Sequence, residues 1–187
     1  MKVLAASDVH GNRSVYEWLV QITKEADVLV LAGDLLGCPD GFDSVEAAQR
    51  ADADAVREIL RAASCPIYFI MGNDDFVELE PIPDRIESLH GRRLELGRWN
   101  FVGYQYSLPF MGGVNEKSEA CIRVDLDRLA SRVDNETIFV THSPAYGVLD
   151  IGVLNRVQLL SWDESRGRGV ACCVMAEVLP LEMEPPV

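Results

Sequence analysis

The chain lacks any apolar run approaching the roughly 20 residues that a membrane-spanning helix needs. Its N-terminal run, Val3–Ser7, is too short for a secretory leader and is followed directly by Asp8 and His10. It therefore reads as a first strand, and the expected compartment is the cytoplasm. The five cysteines, Cys38, Cys65, Cys121, Cys172 and Cys173, are odd in number and include no Cys-x-x-Cys pair. Reduced thiols are expected, with Cys172-Cys173 acting as small buried hydrophobes. No Gly-x-x-x-x-Gly-Lys-[Ser/Thr] loop follows a strand, and Gly167-Arg168-Gly169 is too short for a dinucleotide fingerprint. Serine hydrolase chemistry lacks its Gly-x-Ser-x-Gly elbow, and no cysteine stands in a nucleophile motif. Positive charge is also scarce: 17 Lys and Arg against 30 Asp and Glu leave a formal net charge of −13. Such a surface disfavours non-specific binding of nucleic acid or anionic membranes. A phosphate-bearing substrate stays open, because carboxylates that gather metal ions have their local charge inverted.

What remains is an ordinary soluble globular composition, 48% hydrophobic and 25% charged. The length of 187 residues fits one domain, 1–187, with a sizeable core. Apolar runs at Val3–Ser7, Asp27–Ala32 and Pro66–Met71 alternate with helical spacing over Ser14–Glu25 and Ser44–Ala63. Val15, Trp18, Leu19 and Ile22 mark the apolar face of the first helix; Val45, Ala48, Val56, Ile59, Leu60 and Ala63 mark that of the second. Strand–helix alternation with near-continuous apolar strands implies an α/β sheet of largely parallel character, with functional residues beyond the carboxyl ends of its strands. Arg92–Leu96 and Trp99–Tyr106 read as a hairpin turning at Gly97-Arg98. A helix over Ser118–Val133, using Ile122, Leu126, Leu129, Ala130 and Val133, precedes a strand at Thr137–Val140. The last strand-like run is Val170–Val178.

Four clusters each terminate an apolar strand: Asp8-Val9-His10-Gly11, Gly33-Asp34, Gly72-Asn73-Asp74-Asp75 and Thr141-His142. Singly, each is explained by turn chemistry or, for His142, by a hydrogen-bonded core histidine. Jointly they offer carboxylate, amide and imidazole donors, a mixture suited to Mn²⁺, Fe²⁺, Ni²⁺ or Zn²⁺ rather than to an all-oxygen Ca²⁺ cage. Asp8 and His10, two apart in an extended segment, can point to the same side.

In this order the clusters resemble the first four blocks of the calcineurin-like metallophosphoesterases: Asp-x-His, Gly-Asp, Gly-Asn-x-[Asp/Glu] and a His block. The resemblance spans roughly residues 1–150 and leaves 156–187 as a divergent tail. It implies a four-layer α/β/β/α sandwich of two mixed β-sheets and two divalent metal ions. Asp8 and His10 would hold one ion, Asp34 would bridge, and Asn73 and His142 would hold the second. Asn73 would also act in catalysis by orienting the phosphate, with Asp74 beside it at the substrate. The implied reaction is attack of a metal-activated water on phosphorus, in line with the leaving group, in a small phosphate ester.

Two departures qualify it. Many members have histidine where this chain has Asp74, placed to protonate the leaving group. An Asp of ordinary pKa donates no proton at neutral pH. Members lacking that histidine tend toward phosphodiesters, so a phosphodiesterase is expected over a phosphomonoesterase. Secondly, the chain has three histidines, His10, His90 and His142, and no Gly-His-x-His. His90, in Leu89-His90-Gly91-Arg92, reads as a turn residue. The block that closes both metal sites in the family is therefore missing. Water or carboxylates such as Asp163 and Glu164 could fill the positions. Alternatively the protein is a non-catalytic, ligand-binding or regulatory paralogue, or its gene leaves the family reading frame near Asn155.

Overall fold

The computed structural model describes residues 1–109 and 112–143. The expected strand Val170–Val178, the alternative ligands Asp163 and Glu164, and Cys172-Cys173 lie outside the described residues. Four strands form a parallel sheet in chain order: β1 (Val3–Ala6), β2 (Val28–Ala32), β3 (Ile67–Ile70) and β4 (Ile86–Ser88). The second sheet is mixed. Its β5 (Arg93–Leu96) runs antiparallel to β6 (Trp99–Tyr104), and β7 (Thr137–Thr141) runs parallel to β6. Among the described residues the helices are α1 (Arg13–Ile22), α2 (Val45–Leu60) and α3 (Glu119–Ala130), with one 3₁₀ turn at Thr23–Glu25.

Each α-helix starts at a residue whose side chain accepts an otherwise unpaired first-turn N–H: Asn12 from Val15, Ser44 from Ala47 and Ser118 from Cys121. The layering follows from the two-residue period of the strands. On β2, Leu29 and Leu31 face α1 and α2, packing with Tyr16, Leu19, Val56, Leu60, Ile67 and Phe69. Val28, Val30 and Ala32 face the other way, against Tyr68, Ile70, Leu89, Phe101 and Val140 between the sheets. The outer face of the second sheet meets α3 through Val102, Tyr104 and Leu129, with Ile122 and Phe139 alongside. The result is helix, sheet, sheet, helix, as the resemblance implied.

Helix faces differ from the sequence reading in detail. Tyr16 is wholly buried, whereas Val45, in the first turn of α2, is exposed. The helix expected to reach Val133, α3, ends at Ala130; on it Leu129 is buried but Leu126 is not, and Val133, past its end, is also exposed. The strand β4 has no counterpart in the periodicity; it exists through its pairing with β3. His90 does lie at a turn, closed by the Arg92 N–H donating to the Leu89 carbonyl at 2.9 Å. Cys38, Cys65 and Cys121 are free thiols. Among the described residues no helix is long and apolar enough to cross a membrane.

Candidate metal centre

Parallel pairing of β1, β2 and β3 brings three carboxyl ends side by side, and the loops leaving them stay laced together. Asp8, His10 and Gly11 donate their backbone N–H groups to the carbonyls of Gly33, Asp34 and Leu35 at 3.0, 3.0 and 2.8 Å. Asp8, His10 and Asp34 all adopt left-handed backbone, with φ of 54°, 46° and 52°. That conformation is uncommon outside glycine, although Asp and His tolerate it better than most residues. Two neighbouring glycines are required by contact. A Cβ on Gly33 (φ 95°) would lie 2.5 Å from His142 Nδ1, and one on Gly72 would collide with the amide nitrogen and Oδ1 of Asp34.

The candidate ligand atoms converge. Asp8, Asp34 and His142 each offer one donor atom, all within 4.8 Å of one another. Asn73 Oδ1 lies 3.1 Å from His142 Nε2, and Asp34 Oδ2 lies 3.4 Å from the same nitrogen. His10 Nε2 is 4.0 Å from Asp34 Oδ2, and its Nδ1 is 3.6 Å from an Asp74 oxygen. All five residues expected as ligands thus lie in one neighbourhood, drawn from strand ends in both sheets. The Asp8 carboxylate is steadied by the Ser7 hydroxyl, which donates to it at 2.6 Å.

The chemistry of this donor set tests whether a cation fits. His142 is buried, and its Nδ1 sits 2.9 Å from the Ala32 carbonyl, which can only accept. Nδ1 therefore carries hydrogen, and in the neutral ring Nε2 turns a lone pair toward the oxygens of Asp34 and Asn73. Electron pairs facing one another in a buried space need a positive charge between them. Without a metal ion the ring itself supplies it. Burial alone would lower the His142 pKa, but the hydrogen bond and charge of Asp34, with the charge of Asp8, outweigh it and bring the group up to about 9. Asp34 resists burial in the same way, held below the usual carboxylate range by His142, the Asp74 N–H and His10. A divalent cation meets that demand more fully than a proton, with the Nδ1–carbonyl bond fixing the ring tautomer as for metal-ligating histidines.

Two carboxylates that the sequence reading gave no role, Asp75 in the Gly72–Asp75 loop and Asp52 on α2, brace the surrounding loops. Asp75 is almost wholly buried and accepts from the N–H groups of Leu35, Leu36 and Gly72 at 2.8–3.1 Å. Burial pushes its carboxyl up to about 6 against those three donors. It ties the loop after Asp34 to the loop before Asn73. Asp52, also buried, accepts from Gly37 N–H at 2.8 Å and from Arg13 at 3.0 Å, bracing the segment after His10. Asp74 does not keep an ordinary pKa: burial and then the Asp34 charge raise it, partly opposed by His10.

The profile of the calcineurin-like phosphoesterase family matches residues 1–169. The chain belongs to the calcineurin-like phosphoesterase family. Its members are metal-dependent hydrolases of phosphoric esters, and the match extends beyond residue 150, where the ordered motifs end. Among solved structures, TT1561 of Thermus thermophilus is similar in fold: TM-score 0.62 at 20% identity, over 82% of this chain and 73% of that one. A second solved structure gives TM-score 0.58 at 15% identity, over 78% and 70% of the two chains. At such identities these likenesses speak for the fold alone. No curated protein matches the chain.

Proposed function

We propose that the protein is a metal-dependent phosphodiesterase acting on a small phosphodiester or nucleotide, with Asp8, His10, Asp34, Asn73 and His142 as its metal ligands and the whole chain as one domain. The observation that carries this reading is the convergence of Asp8, Asp34 and His142 around a buried imidazole nitrogen already facing oxygen atoms. Asp34, reached from both His10 and His142, is the natural shared ligand. When bound, the ions would acidify a water and neutralise charge on the phosphoryl group. The protein's own part is to hold the donors in place. Asn73, beside His142, would orient a phosphoryl oxygen, and Asp74, half-exposed next to His10, would face the leaving group.

The preference for diesters rests on Asp74. Burial is the larger cause of its raised pKa and the Asp34 charge the second. Positive charge bound beside Asp34 would cancel that second contribution and favour the carboxylate, the form with no proton to give. Esters with good leaving groups need none. Turnover of an aryl phosphodiester and its monoester with Mn²⁺, combined with elemental analysis, tests the reading. The diester should be preferred, about two ions should bind, and Asp34→Asn should abolish metal-dependent turnover. A strong monoester preference would refute the diester assignment.

One observation favours a second reading: two of the chain's three histidines stand at the centre, and no Gly-His-x-His follows. A non-catalytic ligand-binding paralogue would hold one weak ion or none, and the same elemental analysis separates the two.

A further inference from the structure

The loop Gly72–Phe76 presents Asn73 and Asp74, yet it has almost no regular backbone pairing of its own. Its polar groups are taken up by two buried amides from different layers. Gln49, on α2 and fully buried, donates Nε2–H to the Asp74 carbonyl at 2.7 Å and accepts the Phe76 N–H at 2.6 Å. Asn115, from the segment between β6 and α3, donates Nδ2–H to the Gly72 carbonyl at 2.9 Å and reaches the Asp75 carbonyl at 3.3 Å. Its own carbonyl oxygen accepts from the buried Gln105 at 2.9 Å, which fixes which way the amide points. The remaining N–H groups of Gly72 and Asp74 go to Asp75 and Asp34. Every described backbone bond of this loop thus ends on a buried partner, and moving it would leave buried polar groups unpaired.

We propose that Gln49 and Asn115 are positioning residues that together set where Asn73 and Asp74 stand in the metal centre. The inference rests on the reading of Asp8, Asp34 and His142 as a metal centre. Both residues are amides beside a strongly acidic cluster, and that choice has a physical reason. An amide donates to a carbonyl without titrating, whereas a carboxylate at either place would turn oxygen toward oxygen. Asn115 also links the loop to the second sheet's connecting segment, so the position of Asn73 depends on both halves of the sandwich.

Asn115→Asp and Gln49→Glu keep shape and acceptor while removing the donor; Asn115→Ala is the uncharged counterpart. Ser118→Ala, which weakens the cap of α3 without touching the loop, is the control for a loss of stability alone. Mn²⁺ affinity by titration calorimetry and amide hydrogen exchange at Asp74 and Phe76 are measured on the full chain. kcat and KM are then measured with an aryl diester. The folded variants should lose Mn²⁺ affinity about 10–100-fold, as expected when partners of metal ligands are removed. Faster exchange in the loop should accompany that loss, and kcat should fall more than KM rises. Ser118→Ala should lower Tm and leave affinity unchanged. Wild-type Mn²⁺ affinity and loop exchange in the folded variants would overturn the clamp and leave the functional reading standing. A wild-type protein that binds no Mn²⁺ would overturn both. Binding without turnover would refute the activity but not the clamp.

Discussion

Gly33→Ala separates the cost of an unusual backbone from the cost of collision at the metal centre. Gly33 has φ of 95°, and a Cβ there would meet His142 Nδ1 at 2.5 Å, His142 Cγ at 2.7 Å and Gly72 Cα at 2.9 Å. Gly97, in the turn between β5 and β6, has φ of 62° and open space around its would-be Cβ. Gly97→Ala therefore carries strain alone, roughly 1–2 kcal/mol. Gly33→Ala carries comparable strain plus overpacking of about 1–3 kcal/mol, because a ring and a backbone carbon must move. In a domain of this size each kcal/mol lowers Tm by about 2–4 °C, so Gly33→Ala should melt roughly 2–12 °C below Gly97→Ala. The displaced group is the imidazole held by the Ala32 carbonyl, so Mn²⁺ should also raise Tm less in Gly33→Ala than in Gly97→Ala. Thermal unfolding followed by circular dichroism, with and without Mn²⁺, reads both effects. If the two variants melt together and respond equally to Mn²⁺, the packing of Gly33 against His142 is wrong.

Tyr16→Phe removes a buried hydroxyl that donates to the Leu35 carbonyl at 2.7 Å. That carbonyl keeps the Gly11 N–H, so the cost should be only about 0.5–1.5 kcal/mol by urea unfolding, and a loss above about 3 would show a larger role. Acid sensitivity should trace in part to Asp134, whose carboxyl is held well below the usual range by Arg93, then Asn100 and the Glu136 N–H. A lowered folded-state pKa adds stability that is present above the unfolded value near 3.9 and is lost as pH falls through the lower folded one. The Tm gap between wild type and Arg93→Met should accordingly shrink below about pH 4, and a gap constant with pH would refute the assignment.

The strands β1, β2, β3 and β7 were legible because burial on both faces leaves long apolar runs, and polar residues mark where each run stops. The ligand candidates were legible for the same reason: Asp8, Asp34, Asn73 and His142 follow directly on those runs. The strand β4 was not, since Ile86 is its one buried residue and its identity comes from hydrogen bonds to β3. Gln49, Asp52 and Asn115 left no signal either. Each is a polar residue that serves backbone groups 15 to 43 positions away, and periodicity cannot register a side chain that serves another segment's backbone. Gln49 and Asp52 even interrupt the apolar face of α2. Asp75 was visible within the Gly-Asn-Asp-Asp run, but nothing local separates an acid facing the metal centre from one turned inward beneath it.

The left-handed backbone at Asp8 and His10 has a consequence for how the protein would drift if freed from its task. Glycine adopts that conformation without strain, so Asp8→Gly and His10→Gly would each relieve on the order of 1 kcal/mol. Neither side chain is deeply buried, so little packing would be lost in return. Asp34 is different, because its carboxylate accepts the Asp74 N–H and cannot be deleted without a penalty. A search for heat-tolerant variants that ignores activity would therefore erase the centre from the β1 side first and keep Asp34 as a relic, leaving a sturdier fold with an incomplete site.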